Sequence, residues 1–360
     1  MKISAPGLTV ALCLPLMLVG CASVGPPLPP SLELPTPPRD LRATRKGNKV
    51  TLSWSVPLQT TDRQTVRWVG PTRICRSGGA LAECGVPVGE LPAELRRAVD
   101  GPTRKQTAMY SDPLPRTSGD DPLETVTYAV EVLNSDSRGA GLSNSVVVPV
   151  AKTLEAPTLT ARAVKDGVLV GWVLASRGDD RLRIAYRLRL FRKLIGENKS
   201  TVVAEVPIQV GEASGEFADQ RIEWEKTYRY RAAAVTVISA AGKPDTEIEG
   251  EDSEEAEVFA HDVFAPSTPV SMQAVFSTGT QGGFIDLIWT AVSDADVAGY
   301  NVYRREAGAA AALLNDKPLN TPAYRDGSVV SGRDYFYSVS AVDVRGNESG
   351  KSAEATEHVP

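Results

Sequence analysis

Side chains able to carry acid–base, nucleophilic or metal chemistry are thinly spread in this 360-residue chain. There are two histidines, His261 and His358, and neither is spaced to stand beside a serine or cysteine as the base of a buried triad. Carboxylates number 44, but no local signature sets two of them up as an acid and base pair. Cys75 and Cys84 have no third or fourth ligand nearby, which argues against zinc. The acidic run Glu247, Glu249, Glu251, Asp252, Glu254, Glu255, Glu257 lacks the spacing of a calcium loop. No catalytic residue, metal or cofactor is therefore expected, and the chain does not read as an enzyme. The net charge of −5 argues against nucleic acid as a partner.

What remains are residues suited to binding. Around Tyr186, Leu182, Ile184, Leu188 and Leu190 alternate with Arg181, Arg183, Arg187 and Arg189, and Arg229 and Arg231 repeat the pattern downstream. Period-2 alternation puts the arginines together on one sheet face, where they would suit a polyanionic glycan or a lipid headgroup. Trp68 and Trp224 are candidates for stacking on a sugar ring or a partner protein, with packing against the neighbouring domain or loop the preferred reading.

The elements that must carry these residues are short strands, repeated. Val50-x-Leu52-x-Trp54, Val168-x-Val170-x-Trp172 and Ile285-x-Leu287-x-Trp289 are one strand written three times, with tryptophans 118 and 117 residues apart (172 − 54 and 289 − 172). A second anchor recurs as Tyr128-x-Val130-x-Val132, Tyr228-x-Tyr230-x-Ala232 and Tyr335-x-Tyr337-x-Val339. The 56 glycines and prolines (30 and 26) suit many turns, and no long run has helical period.

These blocks resemble the fibronectin type III family, in which a core Trp lies on strand B and a Tyr near the start of strand F. The third copy matches best: Asp296-Val297-Ala298-Gly299-Tyr300-Asn301-Val302-Tyr303-Arg304 looks like strand C, Tyr324-Arg325-Asp326 like strand E, and Ala341–Ser349 like the F–G turn. The resemblance implies an all-β chain of three tandem fibronectin type III (immunoglobulin-like) sandwiches, over 38–152, 155–261 and 264–360, with the three tryptophans in the cores. Strand G would bring the acidic run beside the strand F arginines, so a cross-strand ion-pair ladder is the preferred reading of the basic face. Arg177-Gly178-Asp179 matches the adhesive tripeptide of animal fibronectin but follows strand B rather than sitting on the F–G loop, and is read as a chance match. Trp to Tyr spans 74, 56 and 46 residues, so the first copy carries an insertion, with a short helix expected over 92–99.

The N-terminus reads as an address. Lys2 precedes an apolar run from Leu8 to Val19, too short to span a bilayer, ending at Leu18-Val19-Gly20-Cys21. This resembles the bacterial lipobox, implying a signal peptide over 1–20 and a lipid on Cys21; Ala22 then favours the outer membrane by the enterobacterial sorting rule. Residues 21–37 form a Pro-rich linker; the fifteen residues Val24 to Pro38, with prolines at 26, 27, 29, 30, 35, 37 and 38, would reach roughly 45 Å as polyproline II at about 3.1 Å per residue. Outside the reducing cytosol, Cys75 and Cys84 are expected to form a hairpin disulfide. The expected function is a lipid-anchored, non-catalytic envelope protein, held to the membrane through its N-terminal lipid and acting as spacer, adhesion or protein-interaction module on an unidentified envelope protein; the alternative is glycan binding through Trp68, Trp224 or the arginine face.

Overall fold

A computed structural model describes residues 32–66, 68–95, 106–114, 121–175, 184–280 and 282–360. Among the described residues all regular structure is β, in antiparallel pairs. The signal segment, Cys21, most of the Pro-rich linker, Arg177–Asp179, Arg181 and Arg183 lie outside these residues.

The first sandwich holds β1 (Arg42–Lys46), β2 (Lys49–Ser55), β3 (Trp68–Val69), β4 (Thr72–Ser77), β5 (Gly89–Leu91), β6 (Glu94–Leu95), β7 (Thr107–Pro113), β8 (Thr125–Leu133), β9 (Gly139–Leu142) and β10 (Val146–Pro149). One sheet runs β1-β2-β7, and the facing sheet β10-β8-β4-β5, with β9 also on β8. The second holds β11 (Thr158–Val164), β12 (Gly167–Val173), β13 (Ile184–Leu194), β14 (Thr201–Ile208), β15 (Ser214–Asp219), β16 (Lys226–Ile238), β17 (Thr246–Asp252) and β18 (Ala256–Ala260). Its sheets are β11-β12-β15 and β14-β13-β16-β17, with β18 on the other half of β16. The third holds β19 (Val270–Gly279), β20 (Gly282–Thr290), β21 (Val297–Glu306), β22 (Ala312–Leu313), β23 (Ala323–Asp326), β24 (Arg333–Asp343) and β25 (Ala355–Val359). Its sheets are β19-β20-β23 and β22-β21-β24-β25. The same strand order three times, A-B-E against G-F-C-C′, is the fibronectin type III arrangement.

Alternation drives each closure. Val50, Leu52 and Trp54 face inward from β2, Val168, Val170 and Trp172 from β12, and Ile285, Leu287 and Trp289 from β20; all nine are buried, each trio in its own core. Truncating any of these indoles to alanine removes the largest side chain of its core, at about 3–5 kcal/mol.

The helix expected over 92–99 is not formed where the chain is described: Glu94–Leu95 is strand, pairing with Trp68–Val69. The insertion folds back and satisfies backbone groups on an edge segment, a tertiary contact that overrides local helix propensity.

The junctions are bonded across. Between the first and second sandwiches the Gly47 N–H donates to the Glu249 carbonyl at 2.8 Å, and Lys46 pairs with Asp252 at 2.5 Å. Gly47 has φ +55°, a left-handed backbone that favours glycine. Ala151, Ile238 and Ile248 form a small apolar plug beneath. At the other end of the first sandwich, Leu32 to Thr36 lies along its B–C loop, with Thr36 N–H donating to Gln59 O and Thr61 N–H to Leu34 O, both at 2.9 Å.

Candidate binding surfaces

Each sandwich is braced by one polar constellation that spans its two sheets. In the first, the Asp112 carboxylate on β7 accepts from the Tyr128 hydroxyl on β8 and from Arg76 on β4, both at 2.6 Å. In the second, Asp219 on β15 accepts from Tyr230 at 2.9 Å and Arg192 at 2.8 Å. In the third, Asp326 on β23 accepts from Tyr337 at 2.8 Å and Arg304 at 2.7 Å. All three aspartates are buried, and one carboxylate oxygen serves both donors each time. A buried carboxylate is tolerable only with such charge-assisted bonds. Burial first, and the neighbouring aspartate next, push the Tyr128, Tyr230 and Tyr337 phenols far above their usual range. These triads join the sheets and are spent on the fold.

They also correct the repeat. Tyr128 is the counterpart of Tyr230 and Tyr337, not of Tyr228 and Tyr335. The latter two make a different contact: the Tyr228 hydroxyl accepts from Glu223 N–H at 2.8 Å, and that of Tyr335 from Val330 N–H at 3.0 Å, each five residues upstream. Their rings also lie beneath Arg192 and Arg304, at 5.4 and 5.0 Å. In the first sandwich the matching position is Val126. Because a strand repeats every two residues, a register set by the first tyrosine met in each copy slips by one full step while every apolar position still matches.

The described arginines of the basic face are paired with carboxylates. Arg189 donates to Glu205 at 2.6 Å, Glu249 at 3.0 Å and Glu247 at 3.1 Å, and Arg187 reaches Glu205 at 3.1 Å and also Glu247. Arg229 bonds Glu257 at 2.8 Å, and Arg231 bonds Asp252 while lying 3.8 Å over the Phe191 ring. The acidic run supplies one flank of this ladder. The other, Glu205 on β14, carries no signal in the sequence, because it lies on a different strand from both the arginines and the acidic run. The guanidinium of Arg187, followed by that of Arg189, holds the Glu247 carboxyl below its usual range.

Trp224 is half-buried: it packs on the second core and lies 6.1 Å from the Phe264 ring, so it wedges the linker against the sandwich rather than offering a platform. Trp68 is half-buried on β3. Cys75 and Cys84 are disulfide-bonded, with Cα atoms 5.3 Å apart, within the hairpin from β4 to β5. On the outer face of the β11-β12-β15 sheet a depression of about 340 Å³ is lined by Thr158, Thr160, Gly171, Val173, Ser214 and Glu216; Glu216 is its one titratable group.

A carboxylate group the sequence reading missed lies at the second junction. Asp262, Asp296 and Asp343 each place an oxygen within 4.8 Å of the others, a spacing that could hold a metal ion. The linker, the B–C loop and the end of strand F each contribute one, so no local spacing could reveal it. Two of the three are already bonded: Asp262 to Arg345 at 3.1 Å, and Asp343 to the Asn347 side chain at 2.8 Å. Burial opposes the charge on Asp343, but bonds from Asn347, Arg345 and Gly346 hold its carboxyl below the usual range.

No protein-family model matches the chain. It is 35% identical over 96 residues to an amylopullulanase of Thermoanaerobacterium thermosulfurigenes, a match covering 26% of this chain and 5% of that relative's length. Among solved structures it is similar to a Fn3-like protein from Clostridium thermocellum (32% identity, 27% of this chain, 96% of that one, TM-score 0.23). It is also similar to the FN1–FN3 domains of chicken CNTN1 (14% identity, 90% of this chain, 99% of that one, TM-score 0.27).

Proposed function

We propose that this chain is a lipid-anchored, non-catalytic spacer of the cell envelope that presents a protein-interaction surface at a set distance from the membrane. The observation that carries the reading is that both junctions are bonded across, by Gly47 and Lys46 at the first and by Arg345 and Lys165 at the second. Sandwiches joined this way act as one stiff body, which is what a spacer needs and an enzyme does not. The conspicuous polar groups, the three triads and the arginine ladder, are consumed in bracing. Cys21 supplies the anchor: with about 0.8 kcal/mol per buried methylene, two acyl chains hold where one does not. Radiolabelled palmitate fed to a bacterial host should label the wild type and not Cys21→Ser; an unlabelled wild type removes the anchor. Photo-crosslinkers at exposed Val330 in native cells should capture one envelope protein, and capture of none removes the interaction surface.

The amylopullulanase match favours a second reading, glycan binding. Trp68 then carries it, since Trp224 and the arginines are engaged. Retention on insoluble polysaccharide that Trp68→Ala abolishes supports this reading; no retention of the wild type ends it.

A further inference from the structure

The two junctions are built from different materials. The first combines a backbone bond, Gly47 N–H to the Glu249 carbonyl, a donation from Arg45 to the linker carbonyl of Ala151 at 2.7 Å and the apolar plug of Ala151, Ile238 and Ile248 with part-exposed ion pairs from Lys46 to Glu249 at 3.1 Å and Asp252 at 2.5 Å. The second is centred on a buried charge and has no such apolar plug among the described residues. Asp262, on the linker, has a side chain only 2% exposed, and its cation is Arg345, 3.1 Å away on the F–G turn of the third sandwich. The Arg345 Nε also lies 3.8 Å from Glu225 of the second sandwich. Glu225 holds the His261 ring at 3.0 Å and the Asp262 N–H at 3.2 Å, from a left-handed backbone at φ 61° that an L-residue adopts only when its surroundings enforce it. Asp296 and Asp343, both on the third sandwich, face the same Asp262. Asn347 donates to the Asp262 carbonyl at 3.2 Å, and Lys165 pairs with Asp294 nearby.

We propose that Arg345 is a latch that fixes the angle between the second and third sandwiches, so that the chain is a permanently stiff pair carrying a third unit whose orientation one side chain controls. The inference deepens the spacer reading and rests on it for its purpose. The reason is electrostatic. With the sandwiches docked, Asp262 is buried against two other carboxylates, and Arg345 is the cation bonded to it. An ionised carboxylate left without its cation in such a place is strongly disfavoured. Water can reach Asp262 once the third sandwich swings away. Removing Arg345 therefore opens this junction, and neutralising Asp262 as well closes it again.

The test measures interdomain distances in the full chain, with spin labels introduced through unnatural amino acids at exposed Val147, Val173 and Val330. The wild type should give narrow distributions for both neighbouring pairs. Arg345→Gln should broaden the second–third distribution at least twofold and leave the first–second one unchanged. Arg345→Gln combined with Asp262→Asn should restore the narrow distribution, and this double variant decides the matter even where the single one fails to fold. The latch is overturned by a second–third distribution already broad in the wild type, by Arg345→Gln as narrow as wild type, by both pairs broadening together, or by a double variant that is broad or unfolded. The envelope cross-linking can fail without moving these distances, and these distances can fail without touching the cross-linking, so the two readings fall separately.

Discussion

The first sandwich and the two that follow share a strand order and a buried Arg–Asp–Tyr triad, yet differ in how their loops are tied. The second and third pin the turn before strand F with a tyrosine hydroxyl, Tyr228 onto Glu223 and Tyr335 onto Val330. The first has Val126 at that place and instead ties its C–C′ hairpin with Cys75–Cys84. The bracing at the centre, where two sheets must be held in register, is invariant. The bracing at the periphery is interchangeable. A bond between sheets has no local substitute, whereas a loop can be shortened in entropy by a hydroxyl, a disulfide or a bridge.

The comparison breaks most directly at the aspartates. Asp112→Ala, Asp219→Ala and Asp326→Ala each leave a buried tyrosine hydroxyl and a part-buried arginine without their shared acceptor. Each should destabilise its own sandwich by about 3 kcal/mol or more in denaturant unfolding. A loss below about 1 kcal/mol in any of the three would show that the triad is not the common brace. Acid adds a sign. Burial disfavours the Asp326 charge, but bonds from Ser328, Tyr337 and Arg304 outweigh it and hold its carboxyl below the ordinary value of 3.8. A depressed carboxyl stabilises the fold fully above its unfolded value, and that contribution is lost as pH falls through the folded one. The third sandwich should therefore weaken below about pH 4, and Asp326→Asn should flatten that part of the profile; an unchanged slope would remove the assignment.

The disulfide comes next. Serine at both Cys75 and Cys84 releases a short loop and should lower the stability of the first sandwich by about 2–3 kcal/mol in the chain-entropy account. Thermal unfolding under reducing conditions should shift the first sandwich alone, since the other two contain no cysteine. A smaller step separates the two kinds of tyrosine. Tyr335→Phe loses one hydrogen bond to backbone, and Tyr228→Phe a short and a longer one to Glu223, about 1 kcal/mol each variant. Tyr128→Phe removes a bond to a carboxylate and should be the more harmful, about 1.5–3 kcal/mol. Equal losses at Tyr128 and Tyr228 would restore the register in which they are counterparts.

Legibility followed the range of the interactions. The three inward trios ending in Trp54, Trp172 and Trp289 were readable because strand periodicity writes burial directly into spacing. Cys75 and Cys84 were readable because they are close in sequence. The triads were not, although the sequence pattern marks Asp326 and Arg304 as strand residues, because nothing local says that strands C, E and F bring one residue each to one point. The same holds for Asp262, Asp296 and Asp343, which the linker, the B–C loop and the end of strand F deliver. The helix over 92–99 failed in the opposite sense: its local pattern was sound, and pairing with Trp68–Val69 overrode it.

The arginine ladder tests the smallest effect. On the outer sheet face of the second sandwich, Arg187 and Arg189 share Glu205 and Glu247, and Arg189 also reaches Glu249. The pairs are part-exposed, so water screens them, and each contributes at most about 1 kcal/mol. Arg189→Gln should therefore lower stability by less than about 1 kcal/mol, and the loss should shrink further in 1 M salt. That is several-fold below the loss expected at Asp219 in the same sandwich, although Arg189 makes three ionic contacts and Asp219 pairs with one arginine. Burial rather than the number of bonds sets the ranking. A loss at Arg189 matching that at Asp219 would mean that the outer face braces this sandwich as strongly as its interior does.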